Sequence, residues 1–152
     1  MKKTYFIVTL FVAIILTGCE QTSGINTRLN VRTAEYLNPD IQGKASPVVI
    51  SIYELKTQNT FNQLNYQKLT SNPNDELKND LIDIHTLEVR PDSQQRITLY
   101  INKNTRYLGI IAGYRAINNA QWRKIIAMSN HNRHLSMDIT LETNNMIVNH
   151  IN

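Results

Sequence analysis

Residues 135–142 read Leu-Ser-Met-Asp-Ile-Thr-Leu-Glu, so apolar and polar side chains alternate at every position. Alternation with a period of two places successive side chains on opposite faces of a β-strand. The stretch therefore predicts a strand with one face in a core and the other in water. Asn144-Asn145 follows and is typical of a tight turn, which makes 146–151 the returning strand of a hairpin.

The rest of the chain has further segments with strand character, separated by turn residues such as Pro91-Asp92-Ser93. Residues 107–115 are apolar on both faces, which predicts a strand in the centre of a sheet. The other predicted strands are 29–34, 48–55, 82–89, 97–101 and 122–128. About eight short strands at regular spacing favour an all-β fold, a β-sandwich.

One segment between the strands has helical spacing instead. Phe61, Leu64 and Leu69 fall on one face of a helix. Asn72-Pro73, with Asp75 soon after, is typical of a second helix start, because proline is tolerated in the first turn of a helix. The sequence therefore predicts a small helical insertion in the sandwich.

The chain has 152 residues, and the part from Cys19 onwards has the length and composition of one globular domain without internal repeats. The formal net charge is +4, but Lys2 and Lys3 belong to the amino-terminal segment, and elsewhere charges of both signs are interspersed. That pattern lacks the basic surface on which nucleic-acid binding depends. Cys19 is the single cysteine, so the chain cannot form an internal disulfide.

The amino terminus has the parts of a bacterial secretion signal. Met1-Lys2-Lys3 is positively charged and residues 5–16 are mainly apolar. That apolar stretch is short for a membrane span, which needs about 20 residues. Residues 16–19 read Leu-Thr-Gly-Cys and resemble the lipobox of bacterial lipoproteins. In a lipobox the thiol, here that of Cys19, accepts a diacylglyceryl group, and cleavage would fall between Gly18 and Cys19.

We therefore expect residues 1–18 to be a signal peptide and Cys19 to be the lipidated first residue of the mature protein. Residues 19–27 are mainly polar and predict a tether, which leaves 28–152 as the sandwich domain. Glu20 stands where an Asp often favours inner-membrane retention of lipoproteins, so we expect the outer membrane, with the domain facing the periplasm. The alternative is a plain signal peptide whose cysteine lies there by chance.

Three stretches resemble the TssJ family, the outer-membrane lipoproteins of the type VI secretion system. Residues 107–115 read Tyr-Leu-Gly-Ile-Ile-Ala-Gly-Tyr-Arg and are followed by Ala-Gln-Trp-Arg at 120–123. Residues 47–56 read Pro-Val-Val-Ile-Ser-Ile-Tyr-Glu-Leu-Lys, and 61–69 have Phe, Tyr and Leu at the first, sixth and last positions. A departure is Ala-Ile at 116–117, in a predicted turn, where the family often has an acidic residue.

The resemblance implies a transthyretin-like β-sandwich with added helical elements. It also implies a role as outer-membrane anchor that binds the periplasmic part of TssM, an inner-membrane subunit, in a complex with TssL. We expect no catalysed reaction, cofactor, metal or small-molecule substrate. Two alternatives remain: a stand-alone lipoprotein binding module or assembly factor, and a periplasmic enzyme, which would require a cleft of converging polar groups.

The loop at 36–46 is the candidate partner-binding site. In the TssJ family the connection between the first two strands is implicated in TssM binding, and this loop is long for a link between neighbouring strands. The alternative is that its apolar residues, Leu37 and Ile41, are tucked beneath the loop. The residues expected to contact the partner are Tyr36, Leu37, Asn38, Pro39, Asp40, Ile41, Gln42, Gly43 and Lys44.

Two pairs of polar residues have spacings that chemistry sometimes uses. His131 and His134 could share a metal ion, but no third ligand lies near them in the sequence, so a polar loop is the favoured interpretation. Asp80 and Asp83 resemble a carboxylate pair at the passage from helix to strand, where a solvated face is the better interpretation.

Aromatic residues offer two further candidates. Trp122 beside Arg123 is either an interface anchor or a ring packed over the edge of the sandwich, since both residue types are enriched in binding hot spots. Tyr53 lies on an apolar strand, which predicts a core ring with its hydroxyl at the rim.

Overall fold

The computed structural model describes residues 24–128 and 134–151, and within them eight strands form two four-stranded sheets. The predicted β-sandwich and its number of strands are thereby confirmed. The strands are β1 (Gly24–Thr33), β2 (Val48–Leu55), β3 (Leu81–Val89), β4 (Gln94–Asn102), β5 (Tyr107–Ala112), β6 (Arg123–Ala127), β7 (His134–Leu141) and β8 (Met146–Ile151).

The first sheet has the strand order β4-β1-β7-β8 and the second has β3-β2-β5-β6. Neighbouring strands are antiparallel except for β1 and β7, which run parallel. The predicted hairpin is present, with Leu141 paired to Met146 next to its turn. The predicted central strand, β5, lies between β2 and β6.

The loop between β1 and β2 joins strands of different sheets, which sequence reasoning did not foresee. The expectation that the loop at 36–46 joins two neighbouring strands is therefore wrong, because β1 and β2 are not adjacent in a sheet. Packed sheets lie about 10 Å apart, so a connection that crosses from one sheet to the other needs more residues than a hairpin does. The length of this loop is therefore a requirement of the topology and does not by itself indicate function.

The core lies between the two sheets and is formed by the alternating apolar residues. Strand β7 supplies Leu135, Met137, Ile139 and Leu141, all buried there. Facing them are the buried side chains Val48, Ile50, Ile52, Leu108 and Ile110 from β2 and β5.

The helical insertion covers the outer face of the second sheet. It consists of α1 (Asn59–Gln63), α2 (Tyr66–Ser71), α3 (Pro73–Leu77) and a 3-10 turn (Lys78–Asp80). A second apolar cluster forms beneath it, where the Tyr53 and Phe61 rings meet with centroids 5.3 Å apart. The Tyr53 hydroxyl donates to the Leu69 carbonyl at 2.8 Å, so it is buried under the insertion, and the expectation of a hydroxyl at the rim is wrong. Burial raises the pKa of Tyr53 to about 12.

Strand β1 begins at Gly24, earlier than the sequence indicates. Gly24 pairs with Asn102 and Thr27 pairs with Leu99 of β4, and Thr27 is fully buried. Residues 24–27 are mainly polar, yet Ile25 packs against the core and Thr27 is buried, so the alternation of β1 extends through them. Residues 24–27, assigned to the tether from sequence, therefore belong to the sandwich. None of the helices in the described ranges is long and apolar enough to cross a membrane.

We expect Gly109→Ala to lower the free energy of unfolding by about 1–3 kcal/mol, as overpacking commonly does. A Cβ at this position would lie 2.5 Å from Cζ of Phe61, so the ring would have to move. Urea unfolding measures the change. The same substitution should cost less in a Phe61→Leu background, because the ring is gone; equal costs in both backgrounds would locate the strain elsewhere.

Candidate partner-binding loop

The outgoing arm of the loop of residues 34–47 is bonded to the β7–β8 hairpin, and the returning arm is bonded to the outgoing one. The Ala34 amide donates to the Leu141 carbonyl at 2.8 Å, and the Asn38 amide donates to the Thr143 carbonyl at 3.0 Å. The Ser46 amide donates to the Leu37 carbonyl at 2.9 Å, which brings the outgoing and returning arms together. The loop is thus an ordered projection beside the β7–β8 hairpin.

Asn38 is the polar brace at the base of the loop. Its φ of 48° lies in the left-handed region, which Asn adopts more readily than most residues. Its side-chain Nδ2 donates to the Pro47 carbonyl at 2.9 Å, and its Oδ1 accepts from the Arg115 amide at 2.7 Å. One buried amide therefore ties the loop base to the start of β2 and to the segment after β5.

Asp40 closes the tip of the loop. Its Oδ1 accepts from the Gln42 and Lys44 amides, both at 2.9 Å. The Gly43 amide donates to the Asp40 carbonyl at 3.0 Å, and Gly43 has a φ of 77°, which favours glycine. Because the tip is fixed before any partner arrives, little conformational entropy remains to be lost on binding.

The loop presents Ile41 to solvent and buries Leu37. The side chain of Ile41 is 97% exposed and that of Tyr36 is 65% exposed, while Leu37 and Asn38 are buried. The expectation that Leu37 and Asn38 supply contact surface is therefore wrong: Leu37 belongs to the core cluster, and Asn38 is the brace. The alternative that both apolar residues are tucked under the loop is correct for Leu37 and wrong for Ile41.

Neighbouring turns pack around the loop and form one end of the sandwich. Beside it lie the segment that follows β5, where the Tyr114 hydroxyl donates to the Asn145 carbonyl at 2.8 Å, and the turn of the β7–β8 hairpin. Burial raises the pKa of Tyr114 above its ordinary value. The Gln121 amide also donates to the Asn144 carbonyl. The base of the loop therefore packs against the segment after β5 and the turn of the β7–β8 hairpin.

Trp122 and Arg123 connect the sandwich to its helical insertion. The Trp122 ring meets Tyr66 edge-on at 5.4 Å, and the guanidinium of Arg123 lies 4.8 Å from the indole centroid. Arg123 also donates to the carbonyls of Phe61 and Leu64 at 2.9 and 2.8 Å. Burial lowers the pKa of Arg123. Of the two interpretations of this pair, the geometry supports packing over the edge of the sandwich.

We expect Arg123→Met to loosen the insertion while the sandwich stays folded. Methionine keeps a long apolar stem but cannot donate, and a buried acceptor left without a partner costs about 1–3 kcal/mol. Hydrogen exchange should become faster in 59–71. Lys124→Met, on the neighbouring residue of β6, is the matched control, and equal exchange in the two variants would contradict this role.

The remaining candidates from sequence do not form a shared site. Asp80 accepts from the Thr60 hydroxyl at 2.9 Å, whereas Asp83 lies exposed on β3, so the two do not act as a carboxylate pair. Gly18, Cys19 and His131 lie outside the described residues, and His134 begins β7.

Sequence reasoning missed a contact between Glu54 and His85. Glu54 is buried near the end of β2, and its Oε1 lies 2.7 Å from Nε2 of His85 on β3. The available signal was a carboxylate at position 54, which continues the alternating apolar series Val48, Ile50 and Ile52. Its partner could not be identified without the pairing of β2 with β3.

The comparisons with known proteins agree on the class of protein. The profile of the family described as "Type VI secretion lipoprotein, VasD, EvfM, TssJ, VC_A0113" matches residues 25–144. The crystal structure of the T6SS lipoprotein TssJ1 from Pseudomonas aeruginosa is 29% identical, with a TM-score of 0.80 over 85% of this chain and 98% of that one. A search of curated protein sequences finds no significant match.

Two further structures share the fold. Lip of Serratia marcescens, described as a membrane-bound component of the type VI secretion system, is 16% identical, with a TM-score of 0.76 over 83% of this chain and 96% of that one. A chain from a structure described as a type VI membrane complex is 21% identical, with a TM-score of 0.73 over 82% and 97%.

The chain belongs to the type VI secretion lipoprotein family. The resemblance found at 47–56, 61–69 and 107–123 is thereby confirmed. The family is one of secretion-system lipoproteins and not of enzymes.

Proposed function

We propose that the protein is anchored in the outer membrane through lipidated Cys19 and that the loop of residues 34–47 binds the periplasmic part of TssM. In this role it ties the inner-membrane subunits TssM and TssL to the outer membrane. The observation that carries the proposal is the 97% exposed Ile41 on a tip closed by Asp40. The same loop exposes Tyr36 to 65%, and tyrosine is a residue type enriched at protein interfaces.

The direction of β1 supports an orientation in which the loop of residues 34–47 points away from the outer membrane. The strand has ten residues and therefore spans about 30 Å from Gly24 to the start of the loop. Residues 19–23, fully extended, would reach at most about 17 Å. A lipid on Cys19 would thus hold the β1 start close to the membrane, and the loop would lie at the far end, towards the inner membrane.

The chemistry of the loop suits a protein partner. Ile41 and Tyr36 offer apolar area, and Lys44 with Gln42 offers polar groups at the margin, the arrangement of many protein interfaces. Support also comes from a solved structure described as the "T6SS protein TssM C-terminal domain (869-1107) from EAEC", of which one chain has this fold at a TM-score of 0.71 and 19% identity.

Isolation of the protein from gently solubilised membranes of its native host tests this function. A tagged full-length chain should sediment with the outer membrane, and it should bring TssM and TssL with it on affinity purification. Recovery of the protein from the outer membrane without TssM, under conditions that keep TssM and TssL together, would contradict the proposed role.

A further inference from the structure

A buried carboxylate lies near the end of β2 and links three parts of the sandwich. Glu54 is 1% exposed. Its Oε2 accepts from the Asn102 amide at 2.8 Å and from the Thr105 hydroxyl at 2.6 Å, which fixes the turn between β4 and β5. Its Oε1 faces Nε2 of His85 at 2.7 Å, across the pairing of β2 with β3.

The negative charge of Glu54 requires a positive charge close to it. A buried carboxylate is costly unless it is paired, and hydrogen bonds from neutral donors offset only part of that cost. Within the part of the chain that the structure describes, His85 is the basic group in ion-pair contact with Glu54. A neutral imidazole adds no charge, so full compensation needs a cation between Oε1 and Nε2, either a proton or a metal ion.

Asp83 lies close enough to Glu54 and His85 to be a third ligand of such a cation. Asp83 pairs directly with Glu54 across the two strands, and His85 lies two residues further along the same face of β3. Oδ2 of Asp83 is 3.9 Å from Nε2 of His85, and one ligand atom from each of the three residues fits within 4.8 Å. An imidazolium at His85 would also be attracted by the Asp83 carboxylate, but a divalent ion would take Glu54, His85 and Asp83 as direct ligands.

The position of the cluster gives an ion access from solvent. β3 is an edge strand of its sheet. The side chain of Asp83 is 63% exposed and that of His85 is 23% exposed, so both can rotate towards an incoming ion, while Glu54 stays fixed by its two other hydrogen bonds.

We propose that Glu54, Asp83 and His85 bind a divalent transition-metal ion, with one imidazole nitrogen and two carboxylate oxygens as ligands. This donor set suits Zn²⁺ and its neighbours better than Ca²⁺ or Mg²⁺, which prefer oxygen ligands alone. Metal–ligand distances of about 2.0–2.2 Å in a tetrahedral site separate ligand atoms by about 3.3–3.6 Å. The distance from Nε2 of His85 to Oε1 of Glu54, now 2.7 Å, has to increase, and its distance to Oδ2 of Asp83, now 3.9 Å, has to decrease. Small side-chain rotations achieve both changes. The fourth position faces solvent and takes water.

The ion would tie β3 to β2 and, through Glu54, to the turn between β4 and β5. Because these ligands come together only in the folded protein, metal binding stabilises the fold.

The test is calorimetric titration of the full-length chain in detergent with Zn²⁺, after removal of metals by chelation. One site per chain is expected, with affinity at least tenfold weaker in Asp83→Asn and in His85→Gln. His150→Gln, which removes an exposed imidazole from β8, is the matched control and should bind like the unchanged chain. Zn²⁺ should also raise the melting temperature of the unchanged chain and the control, but not of His85→Gln.

Three results would overturn the proposal. The first is no saturable Zn²⁺ binding by the unchanged chain. The second is equal affinity in His85→Gln, which would place the ion elsewhere, and the third is equal affinity in Asp83→Asn, which would leave the Glu54–His85 contact as a hydrogen bond alone. Asp83 is exposed, so Asp83→Asn should leave the core undisturbed and the variant should fold.

Discussion

Replacing Ile41 by Asp is expected to weaken binding of the periplasmic part of TssM at least tenfold, which corresponds to about 1.4 kcal/mol. Burying an isoleucine side chain contributes about 1.5–3 kcal/mol, and an aspartate in its place adds the cost of removing a charge from water. The fold should be unaffected, because Ile41 is 97% exposed and makes no contribution to the core clusters.

Gln42→Asp is the matched control for this prediction. It introduces the same charge one residue along the same exposed tip. Titration of the TssM periplasmic domain into the full-length protein in detergent measures both variants. Equal losses in the two would show that charge at the tip, and not the apolar side chain of Ile41, determines binding.

Replacing Cys19 by Ser is expected to abolish lipid attachment and to release the protein from the membrane. A serine hydroxyl does not replace the thiolate as acceptor of the diacylglyceryl group. One acyl chain holds a protein only marginally whereas two or more hold it stably, so loss of the acylated residue should remove the anchor. Labelled palmitate and membrane flotation measure the outcome.

The control for this prediction is Thr17→Ser, which keeps a small residue within the lipobox and should leave lipidation intact. Palmitate incorporation into the Cys19→Ser protein, or its continued flotation with the outer membrane, would contradict the assignment of Cys19 as the lipid attachment site.

Most strands were predictable from sequence because the pattern of apolar residues that marks them is local. Residues 135–142 alternate without a break, and 107–115 are apolar on both faces, so strand and central position followed locally. The start of β1 was missed because Thr27, a buried residue, has the polar character of a tether. Burial there depends on pairing with β4, which no local pattern reports.

Long-range pairing also limited what could be predicted of the sites. Leu37 and Ile41 look alike in sequence, but one side chain is in the core and the other is in water, since Asn38 turns the chain between them. Glu54, Asp83 and His85 come together only through the register of β2 with β3. The segment 36–46 was recognised as a loop from sequence, and its binding role stays a prediction, whereas the burial or exposure of each of its residues required the structure.

Photo-crosslinking in intact cells tests the central claim, that the loop tip contacts TssM, most directly. A photoreactive amino acid replaces Ile41 in one strain and Tyr100 in another. Tyr100 is also well exposed, but it lies on β4 and pairs with Asn26 near the start of β1, away from the loop. The account predicts a TssM adduct from position 41 and none from position 100. No adduct from position 41, or equal adducts from both positions, would contradict it.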